Sequence, residues 1–325
     1  MSELHLPRLG YGGANLGNLY RAMSDDMAWE ILQTAWDAGI RYFDTAPHYG
    51  IGLSERRLGA FLATKPRDQY VVSTKVGRLL VSYPEGAAEP DSENNFAVPA
   101  DHRRVWDFSA VGIRSSVEES LERTGLDRFD ILYLHDPEKH DLREGLGIAI
   151  PALARFRDQR MTRAIGVGSM DTGALLASAN TGAIDLLMVA GRYTLAEQPA
   201  LADVVPACRA HGVGIVTASI FNSGLLATEN PDAGSRYEYG SAPAAVLERV
   251  QSIAETCREF GVSLPAAALH YTLRDDTVRS VVIGGSKPEQ LRQNARWMAE
   301  CVTEALWTAL AERGLIPAQQ RAHPA

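Results

Sequence analysis

Four polar residues suited to proton transfer lie at or just beyond strand-like segments in the first half of the chain. Asp44 and Tyr49 follow one such segment, Lys75 follows the next and His135 follows a third. If these strands are parallel neighbours, their ends meet at one rim. The ammonium group would ease ionisation of the phenol, the carboxylate would hold the ammonium group, and the imidazole would orient a carbonyl or hydroxyl. This set predicts an enzyme that moves a hydride and a proton together.

The segments belong to a regular alternation along the whole chain. Short β-branched runs alternate with longer amphipathic patterns, which is typical of βα units around a parallel sheet. Strands are predicted at residues 8–12, 40–44, 70–75, 130–135, 164–167, 186–190, 214–218 and 280–283. Helices are predicted between them, for example at 25–38, 54–62, 110–123, 201–211 and 246–260. Eight such units close most simply into a (β/α)8 TIM barrel.

Two long segments interrupt this alternation. Residues 79–108 are rich in Pro, Gly, Asp and Asn, so we expect an ordered or mobile cap over the C-terminal rim after the third strand. Residues 229–243 form a second long loop after the seventh strand, on the same side. We expect the tail, residues 313–325, to be extended or frayed.

Composition limits the class of protein. The 325 residues are 46% hydrophobic and 22% charged, which suits one barrel domain over 1–325. The net charge of −8 argues against a nucleic-acid partner. Residues 1–5 lack a secretory pattern, and no apolar run is long enough to span a bilayer. The three cysteines suggest neither disulfides nor zinc, so we expect a cytoplasmic protein; its oligomeric state stays open.

Several motifs resemble those of the aldo-keto reductases. Residues 44–50 (D-T-A-P-H-Y-G) and 54–59 (S-E-R-R-L-G) resemble the signature of that family, and S-T-K at 73–75 and L-H-D at 134–136 follow in the same order and spacing. Within the family, the nearest resemblance is to the bacterial D-threo-aldose 1-dehydrogenase and L-fucose dehydrogenase branch. It rests on segments 13–20, 134–137, 190–194 and 221–226.

The resemblance implies a role for each of the four polar residues. Tyr49 would be the general acid in reduction and the general base in oxidation, and Lys75 would favour its phenolate form. Asp44 would hold Lys75, while His135 would hydrogen-bond the substrate oxygen. The implied activity is NAD(P)-dependent oxidation of an aldose, of the L-fucose, D-arabinose or L-galactose type, at C1 to the lactone.

The resemblance also places the nicotinamide ring at the ends of the later strands. Ser169 stands in the segment where the family commonly has a Ser-Asn pair that touches the carboxamide. Ala190 replaces the usual Gln, and Ser219 lies where an aromatic residue commonly stacks on the ring. Ser169 and Ser219 are therefore the candidate ring contacts.

A Gly-rich turn after the last strand leads into a helix, and its backbone N–H groups could accept a phosphate. The candidates there are Gly284, Gly285, Ser286, Lys287, Gln290 and Asn294. Gly284 and Gln290 occupy positions where NADP-selective members carry Lys and Arg. We therefore expect NAD to be used at least as well as NADP, although Lys287 or Arg292 could reach a phosphate.

A sugar needs several donors and acceptors beside a small apolar face, which the rim loops offer. The candidate substrate contacts are His48, Trp106, Asp107, Phe221 and Asn222. Trp106 could be a platform for the sugar ring or an anchor for the cap.

Three other hypotheses remain. Asp44, His48, His135 and Asp136 could bind the metal of a barrel hydrolase, but there is no His-x-His pair after the first strand, so no metal is expected. The enzyme could act on other small aldehydes or alcohols, including pyridoxal-like rings. Family resemblance also leaves open a nicotinamide-binding regulatory subunit with little turnover.

Overall fold

The computed structural model describes residues 4–238 and 240–318, and its centre is a closed barrel of eight parallel strands. The strands are Leu9–Gly12, Tyr42–Asp44, Val71–Val76, Ile131–His135, Ala164–Ser169, Leu186–Ala190, Gly214–Ala218 and Val278–Ile283. Each strand pairs in parallel with the next along the chain, and the eighth pairs with the first. The predicted (β/α)8 barrel is confirmed.

Pairing across the barrel sets the strand ends more finely than the sequence pattern did. The sixth and seventh strands have the predicted bounds, whereas the fifth continues to Ser169 because its ladder with the sixth continues to the pair Ser169 and Val189. In the same way, the third strand continues one residue past Lys75, so Lys75 lies inside it, and His135 is the last residue of the fourth strand.

Helices surround the barrel. The α-helices are Asp25–Asp37, Leu53–Leu62, Ala110–Thr124, Leu142–Glu144, Ile150–Asp158, Thr172–Ala179, Val204–His211, Ala244–Glu259, Leu264–Thr272, Pro288–Ala299 and Glu304–Glu312. A π-helical segment at Gly145–Ala149 leads into the fifth of them. The helix predicted at 201–211 begins later, at Val204, because Pro206 is tolerated only in a first turn.

Alternation along the strands separates two cores. Side chains that point outward pack against the helices, in a core that includes Phe43, Leu132 and Val167. Side chains that point inward fill the barrel interior; they include Tyr42, Val71, Ile131, Tyr133, Met188, Val216 and Val282. Because successive residues alternate between the two faces, Asp44, Lys75 and His135 lie on the inner face, above this apolar layer.

The predicted cap at 79–108 is ordered. Arg78–Ser82 pairs antiparallel with His102–Trp106, and Pro90–Asp91 pairs with Phe96–Pro99. Backbone hydrogen bonds join the cap to the loop after the first strand, at 2.7 Å from Tyr20 N–H to the Asn95 carbonyl. The cap is therefore fixed to two parts of the rim.

The second long loop, at 229–243, contains the short strands Arg236–Tyr237 and Gly240–Ser241. Glu238 forms an ion pair with Arg192, which follows the sixth strand, so the loop is tied to the rim. Tyr239 lies outside the described residues.

The expectation of a frayed tail is wrong for its first residues. Ile316 is buried, and the guanidinium of Arg249 donates to the carbonyl of Leu315 at 2.8 Å. The apolar pair Leu315 and Ile316 packs back on the helical layer, which an extended chain would leave in water. Residues 319–325, like residues 1–3, lie outside the described part. Over residues 4–238 and 240–318, the helices are too short or too polar to cross a bilayer.

A close backbone contact positions the turn that carries Tyr49. A Cβ atom added to Gly17 would lie 2.5 Å from the carbonyl carbon of Tyr49, and one added to Gly50 would lie 2.2 Å from the Gly17 oxygen. Real side chains do not approach backbone this closely. The loop after the first strand therefore packs directly against the Tyr49 turn and fixes its position.

We predict that Gly17→Ala will lower stability by about 1–3 kcal/mol, because the added methyl group must displace the Tyr49–Gly50 peptide. It should also lower turnover, since the phenol moves with its backbone. Gly147→Ala is the control, because a Cβ there meets open space. Denaturant unfolding of both variants measures the effect, and equal stability for the two would contradict the contact.

Candidate active site

The structure brings Asp44, Lys75 and Tyr49 into one hydrogen-bonded chain. The Lys75 ammonium donates to Asp44 Oδ2 at 2.5 Å and contacts the Tyr49 hydroxyl at 3.0 Å. It also donates to the carbonyl of Thr45 at 3.1 Å, while the hydroxyl of Ser73 donates to the second Asp44 oxygen at 2.7 Å. Every donor of the ammonium is engaged, so Lys75 is held in one orientation.

The electrostatics of this chain keep Lys75 charged. Burial disfavours a charged amine, but the Asp44 carboxylate and the Tyr49 oxygen together more than compensate, and the pKa of Lys75 is raised. Burial raises the pKa of Tyr49, and the Lys75 ammonium partly offsets that rise. The phenol is therefore protonated at neutral pH, with a cation beside its oxygen to stabilise the anion when the proton leaves.

His135 lies beside the phenol and is uncharged. Its ring is 6.0 Å from that of Tyr49, nearly perpendicular to it. Burial and then the nearby Arg78 and Lys75 cations hold the pKa of His135 well below its usual range. A neutral imidazole can donate one hydrogen bond to a substrate oxygen without competing for the transferred proton.

Arg78 is a site residue that sequence reasoning missed. Its side chain is buried, with one guanidinium nitrogen 2.8 Å from Asp136 Oδ2 and another 3.4 Å from His135 Nδ1. Asp136 also accepts from Lys139 at 2.9 Å. The only sequence signal was an arginine three residues after Lys75, at the start of the cap.

His48 lies in the same pocket and packs against Phe96, a second residue that sequence reasoning missed. Its ring is 5.8 Å from that of His135 and 5.5 Å from that of Phe96, which also lies 6.3 Å from the Tyr49 ring. Burial, followed by the Arg78 and other cations, lowers the pKa of His48 to about 2. Its Nδ1 atom contacts no hydrogen-bonding group of the described chain, so it is available to a ligand.

Two predicted substrate residues of the cap already have partners elsewhere in the protein. The Trp106 ring lies under the Arg78 guanidinium, 4.2 Å from its central carbon, and stacks parallel to His140. These contacts favour the anchor hypothesis over the sugar platform. The Asp107 carboxylate accepts from the backbone of Ser109 at 2.9 Å, at the start of helix Ala110–Thr124.

Phe221 and Asn222 lie beyond the seventh strand, away from the cap. The Phe221 ring contacts Trp297 of helix Pro288–Ala299 at 6.2 Å. The Asn222 side chain is buried and donates to Glu197 at 3.1 Å, while its amide oxygen has no bonding partner within the described chain. That oxygen can accept a hydrogen bond from a bound molecule. Their roles as substrate contacts stay predictions.

Small residues form the other half of the barrel mouth. Gly168, Ala190 and Ala218 occupy the last inward positions of the fifth, sixth and seventh strands. A Cβ atom on Gly168 would reach only to 3.9 Å from the Lys75 side chain. This half leaves space for a flat group beside the catalytic residues. The departures from the family pattern at Gly168 and Ala190 thus widen the mouth.

The predicted ring contacts differ in environment. The Ser169 hydroxyl donates to Glu138 at 2.8 Å and accepts from the backbone of Asp171. The other Glu138 oxygen is buried and contacts no donor among the described residues. Ser219 is exposed, with a left-handed backbone at φ 54°. An acceptor is therefore available near Ser169 for a carboxamide N–H.

The Gly-rich turn is shaped by three contacts. The Tyr11 hydroxyl donates to the carbonyl of Gly285 at 3.1 Å, and the backbone N–H of Ser286 donates to Gln290 Oε1 at 2.8 Å. Arg21, from the first loop, donates to the Ser286 hydroxyl at 2.9 Å. Gly284 and Lys287 are exposed and Asn294 is buried.

The carboxylates of the metal hypothesis are already paired with cations. Asp44 binds Lys75, and Asp136 binds Arg78 and Lys139. Over the described ranges, no group of three His, Cys, Asp or Glu residues is arranged to hold a metal ion.

The chain belongs to the aldo/keto reductase family, whose model matches residues 8–312. It is 57% identical over 315 residues to a D-threo-aldose 1-dehydrogenase from Pseudomonas sp., covering 97% of this chain and 96% of that protein. It is 34% identical to a pyridoxal 4-dehydrogenase from Microbacterium luteolum, over 96% of this chain and 95% of that protein. A solved glycerol dehydrogenase from Gluconobacter oxydans has the same fold, with a TM-score of 0.75 at 22% identity, covering 98% of this chain and 96% of that one.

We predict that Tyr49→Phe will lower turnover by about 10²–10⁴-fold, the usual contribution of a positioned proton-transfer group. Binding of a nicotinamide cofactor should be retained, because only one oxygen is removed. Steady-state rates and quenching of protein fluorescence by cofactor measure the two effects. Turnover equal to that of the unmodified chain would refute the assignment of the proton carrier.

Proposed function

We propose that this chain oxidises an aldose at C1 to the corresponding lactone with a nicotinamide cofactor. The observation that carries the proposal is the Lys75 ammonium, which bridges Asp44 and the Tyr49 hydroxyl at 2.5 and 3.0 Å. The 57% identity to a D-threo-aldose 1-dehydrogenase supports the choice of substrate class.

The chain's own residues account for the proton and the orientation of the sugar. When bound, the cofactor supplies the acceptor for the hydride that leaves C1. The Tyr49 phenol first releases its own proton to solvent, and the phenolate, stabilised by Lys75, then takes the proton of the C1 hydroxyl of a cyclic hemiacetal. His135 donates to the same oxygen, so the hydroxyl is held between two groups.

The residues at the mouth fit such a cofactor. Gly168, Ala190 and Ala218 leave room for a flat ring beside Lys75, and the free Glu138 oxygen can accept from a carboxamide. His48, which is half-buried beside His135, offers a sugar a ring nitrogen that is unpartnered among the described residues. L-fucose, D-arabinose and L-galactose are the aldoses we propose as candidates.

A flat heterocycle is a second substrate class, because the chain is 34% identical to a pyridoxal 4-dehydrogenase. Oxidation of a pyridoxal-like hemiacetal is therefore the second candidate. We also propose that the chain works as one catalytic domain over 1–325, in the cytoplasm.

A substrate panel tests the proposal directly. The purified chain should reduce NAD, followed by absorbance, with at least one pentose or 6-deoxyhexose, and Tyr49→Phe run beside it gives the background. Activity with pyridoxal and no aldose would replace the first candidate by the second. Activity with neither would contradict both.

We infer that NAD is used at least as well as NADP. Gly284 and Gln290 provide no cation for a 2′-phosphate, and Gln290 Oε1 already accepts the N–H of Ser286. Arg292 is paired with Glu289 at 2.9 Å. Arg21 already donates to the carbonyl and the hydroxyl of Ser286. Only its remaining donors are left for a 2′-phosphate, so it favours binding of NADP only in part.

We predict that Gln290→Arg will raise the ratio of kcat/KM for NADP over NAD by about ten- to a hundredfold, since a charged hydrogen bond contributes about 1.5–3 kcal/mol. The change adds a guanidinium group and frees the N–H of Ser286. Gln293→Arg, one turn further along the same helix, is the control for added charge. A large preference of the unmodified chain for NADP would contradict the inference.

A further inference from the structure

The guanidinium of Arg78 contacts the ring of His135 at its Nδ1 atom. An arginine can only donate hydrogen bonds, and its NH1 group points at His135 Nδ1 over 3.4 Å. Nδ1 must therefore be the acceptor nitrogen of the ring. In a neutral imidazole the proton then resides on Nε2, which becomes the donor.

We propose that Arg78 is a positioning residue that fixes the Nε2–H tautomer of His135, and thereby the hydrogen-bond donor presented to the substrate oxygen. The kinetic part of this proposal rests on the function proposed above. The tautomer itself is a property of the protein without substrate.

Arg78 is held rigidly enough for this task. Asp136 Oδ2 accepts from its second guanidinium nitrogen at 2.8 Å, and the Trp106 ring lies 4.2 Å from its central carbon. A buried guanidinium needs such a partner, because an unpaired charge in the interior is costly. The planar fork can reach Asp136 and His135 together, which a lysine ammonium cannot do in the same fixed geometry.

The charged groups around His135 act in the same direction. The cations Arg78, Lys75 and Lys139 oppose a second proton on the imidazole, and the neighbouring ring of His48 is itself uncharged. Asp136 is the opposing group, with Oδ2 3.7 Å from His135 Nε2, but it is already shared between Arg78 and Lys139. Removing Arg78 takes away one cation and frees part of the carboxylate. Protonation of His135 then becomes easier.

The tautomer can be observed by NMR. In a ¹⁵N-labelled chain, long-range proton–nitrogen spectra distinguish Nε2–H, Nδ1–H and doubly protonated rings, and His135→Gln identifies the signal of interest. For the unmodified chain we expect a single Nε2–H form of His135 between about pH 5 and 8, where an ordinary histidine titrates. A mixed or doubly protonated ring would overturn the proposal.

Three variants separate charge, geometry and mere packing. Arg78→Met should give a mixture of tautomers and a titrating His135, and should lower kcat/KM by about ten- to a hundredfold with unchanged cofactor affinity. Arg78→Lys keeps the charge, so His135 should stay neutral but lose its single tautomer. Arg103→Met removes an exposed arginine of the same cap and should match the unmodified chain.

Two results would overturn the assignment. One is an Arg78→Met spectrum and pH profile identical to those of Arg103→Met. If Arg78→Met does not fold by circular dichroism, Arg78→Lys decides, and an unaltered Nε2–H tautomer in that variant overturns it. Lack of aldose activity would count against the proposed function alone, because the spectra need no substrate.

Discussion

The buried ion pair between Asp44 and Lys75 is the interaction on which the rest of the site depends. Both side chains are almost inaccessible to water, at 3% and 2% exposure, so the two opposite charges compensate each other for the lost hydration. Ser73 and the Thr45 carbonyl complete the hydrogen bonds of the pair. A lone ammonium at this depth would lose its proton, and the phenol of Tyr49 would have no stabilising charge.

The mouth of the barrel has two regions with different side chains. On one side lie the cationic groups Arg78 and Lys139 with Asp136, and on the other lie Gly168 and Ala190, which carry almost no side chain. A hydroxyl that must lose a proton needs polar and charged neighbours. A flat ring that must lie close to it needs open space instead. Alternation along neighbouring parallel strands provides both within one ring of residues.

Sequence reasoning located what depends on local pattern. Asp44, Lys75 and His135 were placed correctly on one rim because strand ends and the inward period of two can be read from neighbouring residues. Arg78 and Phe96 were missed because their positions depend on pairing within the cap, which no local pattern specifies. Asp107 was predicted to contact the substrate from its place in a loop, and its carboxylate accepts a backbone hydrogen bond at the start of a helix, so its role stays a prediction. Leu315 and Ile316 are apolar, which indicates burial. The residues around them are typical of an extended tail, so the burial of this pair was not predicted.

The cap consists of one continuous insertion between the third strand and its helix. Phe96 and the hydrogen bond from Arg104 to the His48 carbonyl, at 2.8 Å, are its contributions to the pocket wall, while the proton-handling residues Asp44, Tyr49, Lys75 and His135 all belong to the barrel and its short turns. The pocket wall and the hydrogen-bonded group of Asp44, Lys75 and Tyr49 thus lie in separate stretches of the gene. Exchange of this one segment between related chains is a route by which the pocket could be reshaped during evolution while that group stays unchanged.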